Sequence, residues 1–177
     1  MKLDYLQALK RIDEARGAWI LHGQEPLLEQ NIIDAFRKSW IEHQIERERY
    51  DINSVSDWKN VFNALNSLSL FSQNLAIEVH GNIKPDAHAL KLLKNYIQHN
   101  EHNLLVVIMP KQDSSSLKSA FFQTVEANGV IVALTANYAQ DRQRILALEA
   151  DKLGIQLTQD AWQWLEAHHE HNLLAAH

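Results

Sequence analysis

Apolar residues along this chain follow two patterns that take turns. Residues 18–22, 75–80, 104–109 and 130–134 are short, largely apolar runs without clean alternation. That is the mark of strands buried on both faces, as in a parallel sheet covered by helices. A more polar run at 49–52 reads as an edge strand. Between the runs, apolar residues recur at helical spacing. Leu28, Ile32, Phe36 and Trp40 form one stripe, with Ile33 beside them and Pro26 in the first turn, where a missing N–H costs little. Trp58, Val61, Phe62 and Leu65 form a second, which Ser56 can cap. Leu90, Leu93 and Ile97 form a third, entered through Pro85 and Asp86. Leu117, Phe121 and Val125 form a fourth, capped from Ser114–Ser115–Ser116 and ended by Asn128–Gly129. Leu3, Leu6, Leu9 and Ile12 predict a short amphipathic helix at the start of the chain.

Strands alternating with helices predict an α/β domain with a parallel sheet. Strand signals cease after Leu134. Residues 138–153 read as a charged helix with Ile145, Leu146, Leu148 and Leu153 as its apolar set. Gly154 and Ile155 stop it, and Thr158 caps a further helix carrying Trp162 and Leu165. A third begins near Asn172. The expected division is an α/β domain over 1–137 and a helical domain over 138–177. The chain stops inside a helix that has only begun, so the expectation is a fragment of a longer protein.

Composition narrows the function. The chain has 177 residues and a net charge of −5, which argues against a free-standing nucleic-acid binder. It has no cysteine, which excludes disulfides, thiolate metal sites and cysteine catalysis. No apolar run approaches the roughly 18 residues that a membrane span needs, and the first residues lack the apolar core of a signal peptide.

In α/β proteins phosphates sit where a strand turns into a helix. Here that turn reads His22-Gly23-Gln24-Glu25-Pro26-Leu27-Leu28. A P-loop needs a second glycine, a lysine and a serine or threonine after Gly23. All three are missing, and Glu25 puts a negative charge at the helix start. No acidic pair follows the apolar run at 104–109. A nucleotide fold that lost its chemistry and a fold that never had it both predict these absences.

Three other clusters stand out. His168, His169 and His171 with Glu170 cannot share one helical face, and a solvated helix end explains them better than a metal site. Glu46, Arg47, Glu48 and Arg49 alternate in sign and read as a guarded, solvated edge. Arg142, Arg144 and Lys152 are interleaved with Asp141, Glu149 and Asp151, which reads as a salt-laced helix rather than a phosphate patch. No catalytic constellation is evident.

The connector 66–74 is harder to assign to structure. It holds Leu68, Leu70 and Phe71 among Ser67, Ser69, Ser72 and two asparagines. Connectors run on the surface. Three large apolar residues there read either as an exposed anchor for a partner's pocket or as side chains that fold back onto the helix. The sequence leaves the two level.

Taken together, three segments resemble the delta subunit of the bacterial DNA polymerase III clamp loader. Gly23-Gln24-Glu25-Pro26-Leu27-Leu28 is similar to that family's degenerate P-loop region. Ser67-Leu68-Ser69-Leu70-Phe71 is similar to its clamp-binding pentapeptide, with Ser67 where Gln is common. Glu170-His171-Asn172-Leu173-Leu174 resembles a lid segment in which Gly is usual at the second position. The resemblance implies an AAA+-like P-loop NTPase-type fold without a functional nucleotide site, followed by part of a helical lid, with a C-terminal collar domain beyond it. It implies a subunit that binds and opens the β sliding clamp in DNA replication. Leu70 and Phe71 would enter the clamp pocket, with Leu68, Ser67 and Ser69 alongside. It implies no cofactor, no metal and no catalytic residue in this chain, although the holoenzyme it serves is a DNA-directed DNA polymerase, a nucleotidyltransferase. The other loader subunits would join through the collar, primer-template DNA would be met only in the full complex, and the setting would be cytoplasmic. The competing reading is a nucleotide-binding or enzymatic α/β domain with an unrecognised site at the strand ends.

Overall fold

The computed structural model describes residues 1–67, 74–99, 103–169 and 173. Six strands form one sheet: β1 (Lys2–Asp4), β2 (Gly17–Gly23), β3 (Glu46–Ile52), β4 (Leu75–Gly81), β5 (Leu104–Pro110) and β6 (Val130–Leu134). Their order is β1-β6-β2-β5-β4-β3 and every pair is parallel. The apolar runs behave as expected: β2 is buried along its whole length and β5 up to Pro110. The polar run proves to be an edge strand, and it starts three residues earlier than its apolar part suggests.

Helices cover both faces. On one lie α1 (Tyr5–Leu9) and α2 (Pro26–Glu42), whose Leu28, Ile32, Phe36 and Trp40 meet Trp19, Leu21 and Val106. On the other lie α3 (Asp57–Ser67), α4 (Ala87–His99) and α6 (Ala120–Asn128), whose Trp58, Phe62, Leu93 and Phe122 meet Ile20, Ile77 and Val107. A short α5 (Ser114–Leu117) precedes α6, and α7 (Ala139–Leu153) and α8 (Gln159–His169) follow the last strand. Ile145 and Leu146 of α7, with Leu173, join the α2 side of the core.

Three local expectations are corrected. The opening segment is not one helix. Leu3 pairs with Val132 in β1, and Asp4 then caps α1 by accepting the Gln7 N–H at 2.8 Å while Gln7 reaches back to the Asp4 N–H. The segment 114–128 is two helices, because Ser119 takes an extended backbone between them. Asp113, rather than the serines, caps the first by accepting the Ser116 N–H at 2.6 Å. At the start of α3, Asp57 accepts the Asn53 and Ser54 N–H groups, and the Ser56 hydroxyl pairs with that of Ser54.

Other punctuation is as expected. Pro26 opens α2. Gly154 ends α7 with φ 67°, a left-handed conformation that glycine adopts without strain, and Ile155 N–H returns to the Ala150 carbonyl. Asp86 caps α4 by accepting the Ala89 N–H at 2.8 Å. Asp86→Ala is therefore expected to lower stability by about 1 kcal/mol in urea unfolding, with Asp86→Asn close to wild type.

Candidate functional site

Two features compete as the functional site, and they lie at opposite ends of the sheet. The first is the crevice at the C-terminal ends of the central strands. It holds about 520 Å³ between Gly23 of β2, Gly81 of β4, Pro110 of β5 and the flank of α2. Open α/β sheets place ligands in such a crevice.

Its lining does not suit a magnesium-bound triphosphate. A Cβ at Gly23 would lie 2.2 Å from the Leu134 carbonyl oxygen and 2.5 Å from the Leu134 Cβ. Gly23 thus serves the approach of β6, its registered neighbour. Glu29 and Asp34 line the crevice from α2. Its arginine is committed elsewhere: Arg37 donates to both oxygens of Glu78, at 2.7 and 3.1 Å.

Glu78 was not singled out by sequence reasoning. It is a carboxylate in the middle of an apolar strand, and it is fully buried. It shares the α2 face with Ala76 and His80, because side chains on one face recur every second residue. Arg47 reaches it from β3 at 3.2 Å and His80 Nε2 lies 2.6 Å away. Burial pushes the Glu78 carboxyl up. The hydrogen bonds from His80 and Arg37, with their charge, more than offset this and hold it at about 2. The signal available in sequence was a lone charge among Leu75, Ala76, Ile77 and Val79, which implies a buried partner. Arg47 belongs to the sign-alternating run, so that run is only partly a solvated guard.

The second feature is the α3–β4 connector. Ser67 is the last residue of α3. Leu68, Ser69, Leu70 and Phe71 lie outside the described residues, as does the side chain of Ser67. What the structure describes is how both ends of this connector are pinned. Trp58 donates its indole N–H to the Ile83 carbonyl at 2.9 Å and packs on Phe62 and Phe121. The apolar face of α3 is spent on Trp58, Val61, Phe62 and Leu65. At the far end, Leu75 N–H donates to the buried side chain of Asn103 at 3.0 Å, and Tyr96 O–H donates to the Asn103 carbonyl at 2.8 Å. The connector therefore leaves from the N-terminal end of β4, away from the crevice.

The remaining clusters gather no site. Lys152 pairs with Glu149 at 2.7 Å, and Arg142 donates to the Ala136 and Asn137 carbonyls. His168 stacks on Trp164 at 4.4 Å; Glu170, His171 and the His169 side chain lie outside the described residues. Among the described residues, no group of three His, Asp or Glu is placed to hold a metal ion. No helix there is long and apolar enough to cross a membrane.

The parallel sheet with helices on both faces is that of the AAA+-like P-loop NTPase class, and solved structures bear this out. A Bacillus subtilis DNA clamp loader delta protein aligns with 97% of this chain at TM-score 0.67 and 13% identity. A Thermotoga maritima RuvB variant aligns with 97% at TM-score 0.55 and 12% identity. A DNA polymerase III gamma subunit-related protein of Thermotoga maritima aligns with 97% at TM-score 0.52 and 12% identity. The alignments cover 54%, 56% and 55% of those chains, so this chain spans about half their length. No curated protein matches the sequence. Within the class the family is defined: residues 19–135 match the DNA polymerase III delta subunit, and the chain belongs to that family.

Proposed function

We propose that this chain is the clamp-binding part of a clamp-loader delta subunit, an α/β domain over 1–137 followed by the start of a lid over 138–177. One observation carries the reading. In a delta-family chain, Ser67-Leu68-Ser69-Leu70-Phe71 occupies a connector between two firmly anchored elements, next to a helix whose own apolar face is already spent. Leu70 and Phe71 are the anchors that enter a hydrophobic pocket of the β sliding clamp. Leu68 lies beside them, and Ser67 and Ser69 supply the polar rim.

The subunit then opens the ring with binding energy alone. A ligand shifts an equilibrium only by its differential affinity for the two states. Opening therefore requires tighter binding to the open or strained ring than to the closed one. Nothing in this step calls for hydrolysis, which agrees with a crevice lined by Glu29 and Asp34 and an arginine tied to Glu78. The other loader subunits engage a C-terminal collar, primer-template DNA is contacted in the assembled complex, and the setting is cytoplasmic.

Calorimetry with the cognate clamp tests the reading. Leu70→Ala combined with Phe71→Ala should weaken binding by roughly 2 kcal/mol or more, with unfolding unchanged. Undiminished binding sinks it. The rival reading, a nucleotide or enzymatic site in the crevice, would gain from a thermal shift with ATP and magnesium that a second substitution in the crevice, Gln30→Leu, removes.

A further inference from the structure

Beside the core lies a cavity of about 370 Å³. One wall comes from the end of β1 and from α1, with Asp4 and Lys10. The other comes from the first turns of α7, with Asp141 and Arg144. Each wall therefore carries one cation and one carboxylate. None of the four is in an ion pair with another, although Asp4 uses one oxygen to cap α1.

The seat of α7 shows a matching defect. The Tyr5 hydroxyl of α1 is buried against the Asn31 side-chain amide of α2, and its own O–H has no acceptor. Buried donors left unpaired cost free energy, and native cores hold few of them. Ile145, Leu146 and Glu149 of α7 are the residues buried on that side. A helix with complementary charges across an open cavity on one flank, and an unpaired O–H beneath it, has something to gain by moving.

We propose that α7 has a second seat, closed onto α1, in which Lys10 pairs with Asp141 and Asp4 with Arg144 as the cavity shuts. The movement is a small shear of one packed helix against another, which is a common form of two-state element. It is independent of the clamp reading, and it would give whatever follows α7 in the chain two positions relative to the sheet.

The absence of cysteine in the chain makes the test clean. Spin labels at Glu14→Cys, in the turn that follows α1, and Leu148→Cys of α7, both exposed positions, report the distance between that turn and α7 by electron double resonance on this 177-residue chain. Two distance populations are expected, the shorter one shrinking as salt is raised, because exposed ion pairs are screened. Asp141→Lys should abolish the shorter population, and Lys10→Asp added to Asp141→Lys should restore it. A single population, or a second one that the double reversal fails to restore, overturns the proposal.

Discussion

Gly23→Ala is expected to destabilise the protein by about 3 kcal/mol or more, at and beyond the upper end of overpacking costs. For a domain of this size that is a fall in Tm of roughly 6–12 °C. The added methyl would meet the Leu134 carbonyl oxygen at 2.2 Å and the Leu134 Cβ at 2.5 Å. Both belong to a strand hydrogen-bonded to β2, and no side-chain rotation relieves them. The last β2–β6 pair must separate, which exposes the buried ends of two central strands. Thermal unfolding followed by circular dichroism checks this. The result also decides what the glycine is for. A glycine kept for a phosphate would lose ligand binding on substitution and keep its stability. A glycine kept for the neighbouring strand loses stability whether or not any ligand is present. A Tm within a degree or two of wild type would return Gly23 to the first role.

The same residue shows how far a sequence carries. A glycine between an apolar run and a helix is legible as a turn, but which strand presses on it depends on sheet order. Sheet order is set by crossovers that leave no local mark. Four of the six strands could be read because their burial on both faces forces apolar runs, and β3 because its polar run marks an exposed edge. β1 could not, because Lys2, Leu3 and Asp4 offer a single apolar residue, and its strand character comes from pairing with Ile131, Val132 and Ala133. The helix over 114–128 looked continuous because Leu117, Phe121 and Val125 keep a four-residue spacing across the break at Ser119. The connector drew notice for the opposite reason: Leu68, Leu70 and Phe71 conflict with their polar surroundings, and local conflicts of this kind tend to mark function. Glu78 conflicts with its surroundings in the same way. Its meaning stayed hidden because its partners, Arg37 and Arg47, stand 41 and 31 residues away.

That buried carboxylate carries the second large effect. Glu78→Ala leaves Arg37 and Arg47 facing a void on the α2 face of the sheet. Breaking a buried ion pair from one side typically costs 3–5 kcal/mol. The guanidinium side chains are 34% and 40% exposed and can turn toward water, so a loss of about 3 kcal/mol is expected, at the lower end of that range. Glu78→Gln keeps the shape and one acceptor and should lose less, and it separates charge from packing through pH. The folded carboxyl titrates at about 2, below its usual 4.5. A group depressed in this way adds stability above its unfolded value, and the contribution is lost as pH falls through the folded value. Wild type should therefore exceed Glu78→Gln in Tm by a constant margin near neutrality. The margin should narrow between pH 4.5 and about 2, where the unfolded chain has taken up the proton and the folded carboxylate has not. Calorimetric Tm values for the two proteins across that range give the measurement. Parallel curves would mean that the charge on Glu78 contributes nothing and that the cluster holds the α2 flank of the crevice by shape alone.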